Sequence, residues 1–402
     1  MHPISVPNLA SPAFKANPYP FYAQMRAHAP VFRTRLPSRQ NAWLVTRYDD
    51  ALLVLKDERL TKDRRIAIAE GQKAPWMPAM LRPLAQNMLD LDDPDHARLR
   101  GLVHKAFTAR LIERLRGRIQ AICHELLDAA EASGRIDLIG QYALPLPVTI
   151  IAELLGIPAS DRSGFHRWSG SIVSVSSGAD MLRALPAIWQ LLRYMRRLIA
   201  LRRADPRDDL LTALVQAEEN GSSLSEDELL AMICLLLIAG HETTVNLIGN
   251  GTLALLQHPD QIERLRGDPT LIRPAVEELL RFTSPVELAT ERYARADLEL
   301  GGQRIARGEL VLAVLGSANR DERQFAQPDA LDLARDPNRH LTFGQGAHYC
   351  AGSPLARLEG AIAVQTLLDR LPNLRLAGPR DEPRWRKGLF LRGLKRLPLA
   401  FG

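Results

Sequence analysis

Apolar positions along this chain recur mostly at helical intervals, and the clearest patterns lie in its second half. Leu224-Ser225-Glu226-Asp227-Glu228-Leu229 is a helix start: Ser225 stands at the N-cap, Glu228 closes a capping box, and Leu224 and Leu229 form a staple. No proline interrupts the chain from there to Pro259, so the pattern predicts a buried helix of about 30 residues, longer than most, crossing the whole domain. Leu355, Leu358, Ile362 and Leu368, beyond Pro354, predict a second helix running to Leu371. Pro274 to Arg281 reads as a third, with proline in its first turn and a break at Pro285. Between Ile119 and Val215 helical patterns alternate with breaks at Gly134, Gly156-Ile157-Pro158 and Pro186, which describes an α-helical body without internal repeats.

Strand patterns are fewer. After Pro18-Tyr19-Pro20-Phe21-Tyr22 and a short helix to His28, Val31–Thr34 and Ala42–Thr46 read as strands of a small sheet. Glu309–Leu315 and Leu389-Phe390-Leu391-Arg392-Gly393 add β-structure, and the chain turns extended after Pro285. From Lys62 to Asp90 the periodicity fades, and Pro75, Pro78 and Pro83 interleave with Trp76, Met77, Met80 and Leu81 in a long loop. Loops of that length usually serve function or are disordered. The expected fold class is mainly α with a smaller β region.

Composition changes this picture little. The 402 residues, 46% hydrophobic, can bury a large core, and length alone permits two or three domains. The formal charge of +6 is spread along the chain rather than gathered in a tail, so nucleic-acid binding is not implied. A basic face for an acidic protein partner is the preferred reading, with Lys105, Arg110, Arg114, Arg116 and Arg118 as its densest stretch. Cys123, Cys234 and Cys350 are too far apart for a disulfide framework or a zinc site, which fits a reducing cytosol. Met1 to Pro7 lacks a signal pattern, and the uncharged run Leu229–Gly240 is shorter than the roughly 18 residues that cross a bilayer. A soluble, cytoplasmic protein without a membrane anchor is expected.

The candidate chemistry centres on Phe343-Gly344-Gln345-Gly346-Ala347-His348-Tyr349-Cys350-Ala351-Gly352, one cysteine among glycines just ahead of a helix. A helix N-terminus stabilises a thiolate, and the thiolate is what ligates metal. Gly344 and Gly346 supply turns with positive φ that let N–H groups face the sulfur, and Gly352 lets the helix approach a flat cofactor. A lone cysteine in a helical protein is more often a buried structural residue, so the case rests on the spacing. A second cluster, Ala239-Gly240-His241-Glu242-Thr243-Thr244, sits inside the long helix. Glycine there costs about 1 kcal/mol against alanine, and a buried Glu242 costs more unless partnered or protonated. Helix packing asks for neither. Ala239 and Gly240 share the face of Thr243, whose hydroxyl can bond back to the Ala239 carbonyl and open space for a small ligand. His241 reads as structural, and Asn246 and Asn250 remain unassigned.

Every fixed position of F-G-x-G-x-H-x-C-x-G matches the haem-binding loop of the cytochrome P450 family, and the chain resembles a bacterial soluble haem-thiolate monooxygenase. In that family the cysteine sulfur is the fifth ligand of haem iron and its electron donation favours O–O cleavage. The resemblance puts that role on Cys350, a bond to a haem propionate on His348, and shielding of the sulfur on Phe343. Asp93-Pro94-Asp95-His96 onward matches the family's D-P-x-H-x-x-x-R pattern, so His96 and Arg100 would grip a propionate together. Without the resemblance, such a pair on one helical face is ordinary solvated surface. Arg292 matches a second propionate-binding arginine. A-G-x-E-T resembles the family's acid–alcohol pair, with Ala239 and Gly240 against the haem, Thr243 stabilising bound dioxygen and Glu242 relaying protons.

Glu278 and Arg281 match E-x-x-R, which in the family is a buried pair holding the cysteine loop. On a surface that pair would be worth only about 0.2–0.5 kcal/mol, and Glu277 stands four before Arg281 as a competitor. Many relatives have Arg-Phe where this chain has Ala330-Leu331, which leaves the third member of the network open, with Arg335 as a substitute. By the same resemblance the loop at 62–90 covers the substrate and Phe165 to Met195 forms the lid. Val286, Leu288 and Ala289, beside the polar Glu287, would edge the cavity, and Leu389 and Phe390 would form its far wall.

The resemblance runs from Pro18 to Phe401 and implies one domain over residues 1–402, a monomer with the family's fold, haem b as cofactor, and O2 with electrons from NAD(P)H. No G-x-G-x-x-G follows a strand, so electrons would come from a ferredoxin or flavodoxin and its reductase. The implied reaction is hydroxylation or epoxidation of an apolar small molecule. By analogy with bacterial enzymes of secondary metabolism this would be a macrolide or other polyketide, a steroid, a terpenoid or a fatty-acyl compound. Two rivals stay open: a peroxide-driven peroxygenase, against which Glu242 and Thr243 speak, and a non-catalytic haem sensor or carrier, which would need Cys350 but not Thr243.

Overall fold

Thirty-two residues without a proline give the longest element of the computed structural model, the helix Glu226–Gln257. Its start is the expected capping box: Ser225 N–H donates to Glu228 Oε2 at 2.8 Å, and Glu228 N–H donates to Ser225 Oγ at 3.2 Å. The structure describes residues 6–67, 87–173, 178–219, 221–378 and 382–402, so most of the proline-rich loop read over Lys62 to Asp90 lies outside the described residues. Within that stretch, Arg64–Ala67 and Met88–Asp90 each form a single helical turn. Among the described residues, Glu226–Gln257 is also the one helix long and apolar enough to cross a bilayer, a property its uncharged dozen residues understate. Its most apolar 18-residue stretch is 61% buried, as in the core helix of a folded domain.

The chain divides into two compact units, one of Met1–Gln72, Gln120–Ala143 and Thr243–Gly402, the other of Lys73–Ile119 and Leu144–Glu242. The first holds a sheet in the order Val31–Arg35, Asn41–Val45, Leu310–Ala313, Arg292–Ala294, Leu60–Thr61. Only Asn41–Val45 with Leu310–Ala313 is parallel, pairing Ala42 with Leu310 and Val45 with Ala313. Successive residues of these two strands feed opposite faces, so both faces are apolar. Trp43, Val45, Val311 and Ala313 join one core cluster with Leu55 and Leu341, while Leu44, Leu310 and Leu312 join another with Phe14, Tyr22 and Leu288. A third cluster ties the helices Ile272–Thr283 and Ser353–Arg370 to the end of the long helix through Leu247, Leu255, Leu279, Val364 and Leu368.

Two local expectations change. Leu389–Gly393 is not a regular strand: only Leu391 bridges, to Val286, and the strand begins at Leu394–Arg396. The reason is irregular pairing, since Glu287 N–H and Leu288 N–H both donate to the Phe390 carbonyl. The short strand Arg135–Asp137, paired with Pro398–Ala400, interrupts the helical body and is too short to show a period.

The second unit is helical, with Asp95–Ala106, Pro145–Leu154, Arg162–Val173, Gly178–Ala204 and Leu210–Gln216. Pro186 does not break the chain but lies inside Gly178–Ala204. It and Leu182, whose carbonyl it leaves without a donor, are both exposed, so the lost bond is left facing solvent. Gly156 does break it, at φ +65°, and an added Cβ there would meet Asp209 Oδ2 at 2.0 Å.

Candidate active site

Three residues before the helix Ser353–Arg370, which carries proline in its first turn, the chain makes a tight loop around Cys350. Cys350 N–H donates to the Phe343 carbonyl at 2.9 Å, Gly344 N–H to Leu341 at 2.8 Å, and Ser353 N–H to the Cys350 carbonyl at 3.3 Å. Gly344 and Gly346 sit at φ +72° and +75°, and at Gly346 a side chain would also press on the Leu55 carbonyl, 3.0 Å from its Cβ. Cys350 is exposed, whereas Cys123 and Cys234 are buried. Burial pushes their thiols up to about 11 and about 12, so they stay protonated. Among the described residues no three His, Cys, Asp or Glu side chains converge on a metal site. A metal at Cys350 would therefore bring its other ligands with it, as haem iron does, and the glycine turns, outward sulfur and helix start fit such a group.

The loop is anchored from behind. Glu278 and Arg281 are both fully buried and paired at 2.7 and 2.8 Å, so the surface reading of this pair does not hold. Arg281 also donates to the carbonyls of Asn319, Pro328 and Ala330. The open third place is taken by Arg335, whose Nε lies 3.1 Å from both Glu278 oxygens, with Asn338 Nδ2 at 3.1 Å from one. Glu277 does not compete: it holds Arg357 at 2.7 and 2.9 Å and His340 at 3.1 Å. Burial would raise this carboxyl, but the hydrogen bonds from His340 and Arg357 outweigh it and hold Glu277 down at about 2. Arg357 in turn stacks on the Phe343 ring at 4.4 Å and donates to Tyr349 Oη at 3.2 Å. Sequence reasoning missed Arg357, although it lies on the helix that follows the cysteine. A cavity of about 510 Å³ opens beside the loop, lined by Lys56, His340, Phe343, Gln345, Tyr349 and Arg357.

The long helix shows the second feature. It is buried at Leu229–Cys234 and again from Thr244 through Leu255, but Ile238 and Ala239 are exposed and Gly240, Glu242 and Thr243 half-buried. An apolar helix uncovered between two buried stretches is suited to line a ligand there. Gly240 has a packing reason too, since an added Cβ would stand 3.1 Å from Ile151 Cδ1. His241 is structural, its Nδ1 2.5 Å from the Leu237 carbonyl.

The remaining predicted residues divide between the units. His96 lies in the helix Asp95–Ala106, buried, with Nδ1 3.3 Å from Asp93, and burial lowers its imidazole below the usual value despite that contact. Arg100 stands one turn on, and both belong to the second unit with Ala239, Gly240 and Glu242. Arg292, His348, Gly352 and Thr243 belong to the first, with Cys350. Arg292 is buried on its strand and donates to the carbonyls of Thr290 and Leu55 at 3.4 Å. Leu288 N–H donates to the Phe390 carbonyl at 3.1 Å and Val286 bridges Leu391, whereas Ala289 N–H donates to the Ala313 carbonyl at 2.9 Å. Glu287 is buried there, ion-paired with Lys15 and accepting from Tyr22 Oη at 2.7 Å. Lys15 Nζ also donates to the Leu389 carbonyl at 2.9 Å, and burial lowers its ammonium group even against the pull of Glu287. No local pattern marked Lys15 or Tyr22 as partners of Glu287.

The model of the family described as Cytochrome P450 matches residues 181–269 and 268–379. The chain is 46% identical to "Polyketide biosynthesis cytochrome P450 PksS" of Bacillus subtilis (strain 168), over 96% of each protein. It belongs to the cytochrome P450 family. The solved structure of PksS aligns with a TM-score of 0.92 at 44% identity, covering 99% of this chain and 100% of that one. "Cytochrome P450 monooxygenase PikC" of Streptomyces venezuelae is 46% identical over 96% of this chain and 92% of the relative. P450BioI, solved in complex with an acyl carrier protein ligated to hexadec-9Z-enoic acid, aligns at a TM-score of 0.89 and 38% identity, covering 98% and 100%. This cytochrome P450 is thus a monooxygenase with the mainly α fold expected from its patterns. It uses haem b held by a cysteine thiolate, O2, and electrons from NAD(P)H delivered by separate redox partners. The peroxygenase and carrier readings are not favoured.

Proposed function

We propose that this cytochrome P450 hydroxylates or epoxidises a polyketide or related long acyl skeleton presented on an acyl carrier protein. It works in the cytoplasm as a monomer, residues 1–402 acting as one domain, with a ferredoxin or flavodoxin and its reductase as electron donors. Support for the substrate comes from the polyketide relative PksS and from the carrier-bound acyl chain in the P450BioI complex. The observation that carries the chemistry is the exposed Cys350 between positive-φ glycines and a helix start, in a chain whose other cysteines are buried and protonated.

Cys350 would hold the haem through its sulfur, with Gly352 leaving room beside it. His348, Arg292, His96 and Arg100 would bind its propionates. Phe343, held by Arg357 and through it by Glu277, keeps water from the sulfur. When bound, the haem supplies the activation of O2 that no side chain can provide. Thr243 offers a hydroxyl proton on the uncovered middle of the long helix, and Glu242, one residue before, restores it. Ala239 and Gly240 leave the space in which that transfer occurs. Val286, Leu288, Ala289, Leu389 and Phe390 bind the apolar chain, while the buried Lys15–Glu287 pair fixes the two segments that carry them. Glu278, Arg281 and Arg335 hold the cysteine loop at its geometry. The test is spectroscopic: the reduced protein under carbon monoxide should show the far-shifted Soret band of a thiolate complex, and Cys350→Ser should lose it. A band that survives in Cys350→Ser, or is missing in the parent, rejects the assignment.

A further inference from the structure

The helix Gly178–Ala204 buries Ile188, Leu191, Leu192, Met195, Leu198 and Ile199 on one side, so its packing is already satisfied. Its other side is unusual for a solvent face. Leu182 is 70% exposed, Trp189 49% and Leu201 57%, interleaved at helical spacing with exposed Arg183, Arg193, Arg196, Arg197 and Arg203. The acids that answer these cations are few. Asp180 lies 3.5 Å from Arg183, and Glu226 reaches Arg196 at 3.3 Å and Arg203 at 3.8 Å. Among the described residues Arg193 and Arg197 have no carboxylate partner, and the Arg193 guanidinium instead lies 5.2 Å over the Trp189 ring. Five cations against two acids leave a strongly positive strip around a large exposed aromatic. Tryptophan and arginine are the residues that anchor protein interfaces, and exposed apolar groups of this size rimmed by charge mark a binding surface.

We infer that this arginine–tryptophan face, from Leu182 to Arg203, is the docking surface for the acyl carrier protein. The inference rests on the carrier-bound substrate reading above and adds where the carrier sits. Carrier proteins are small and acidic, so their carboxylates complement Arg193 and Arg197, while Trp189 and Leu182 supply the apolar contact that fixes the register. An anionic membrane would offer charge but no fixed spacing of carboxylates, which is why the protein partner is favoured.

Titrating the haem-loaded full chain with an acyl carrier protein charged with a sixteen-carbon acyl group decides the matter, run beside the free sixteen-carbon acid and anionic phospholipid vesicles. The double variant Arg193→Glu/Arg197→Glu should weaken carrier binding about tenfold or more, and Trp189→Ala severalfold, with the effect shrinking as salt rises. The spin-state shift caused by the free acid should stay within about twofold of the parent, because Trp189, Arg193 and Arg197 stand on the exposed side of the segment read as the lid, opposite its buried residues Leu191 and Met195. Carrier affinity that is the same in parent and double variant overturns the inference, as does loss of vesicle binding alone. A parent that takes up the free acid but binds no carrier refutes carrier delivery, whereas carrier binding through this face without any acyl-dependent spin shift refutes the substrate and leaves the docking surface standing.

Discussion

Glu359 faces inward from the helix Ser353–Arg370 with 1% of its surface exposed and one carboxyl oxygen without a partner. Burial pushes it up to about 8, against a lowering hydrogen bond from Thr244, the residue after Thr243. The folded protein therefore holds this proton at neutral pH while the unfolded chain does not. With fewer protons bound in the unfolded state, stability falls as pH rises from the ordinary carboxyl value of 4.5 to about 8 and is level beyond. Glu359→Gln keeps shape and neutrality, so denaturant midpoints of the variant should lose that decline and exceed those of the parent on the alkaline side. Parallel profiles in the two proteins would show that Glu359 is not the group responsible.

At the scale of elements, the cysteine loop depends on charges placed where water cannot reach. Glu278 and Arg281 are fully buried and Arg335 nearly so, which makes the set costly to break, since removing one partner strands the other. Arg281→Ala should cost about 3–5 kcal/mol and release haem during purification, while Arg335→Ala, at the rim of the network, should cost less. Denaturant titration with haem content measured by absorbance reads both, and an Arg281→Ala protein with parental midpoint and full haem would remove the network from any role in the loop. Glu278 and Arg281 were legible through their match to E-x-x-R, because their spacing alone reads as a weak surface pair. The cysteine loop was legible by the same kind of match, whereas the capping box at Ser225 and the paired strands Val31–Arg35 and Asn41–Val45 were legible because their signals are local. Arg335 reaches Glu278 across 57 residues, Arg357 reaches Glu277 across 80 and Lys15 reaches Glu287 across 272, and no periodicity encodes such meetings. Pro186 misled because a proline on an exposed helix face leaves only a solvent-facing carbonyl unpaired, and the segment at Leu389 because its carbonyl serves two donors outside a ladder.

For the molecule as a whole, charge bears on how electrons arrive. The basic stretch that suggested a partner face is less bare than its sequence: Arg114 pairs with Asp208, Arg116 with Glu113 and Arg118 with Glu153. Such pairs cancel local field, so an acidic redox partner would be attracted by the formal charge of +6 over the whole chain more than by that patch. A field of that origin acts over distances that salt shortens from about 10 Å at 0.1 M to about 3 Å at 1 M ionic strength. The second-order rate of haem reduction by an acidic ferredoxin, followed by stopped flow below saturation, should therefore fall on the order of tenfold across that range. The charge-neutralising pair Arg114→Gln/Arg116→Gln should change the rate far less than salt does, because those side chains are already answered by Asp208 and Glu113. A rate indifferent to salt would show that the partner is not steered by charge. A double variant as slow as the parent in high salt would return the attraction to the local patch.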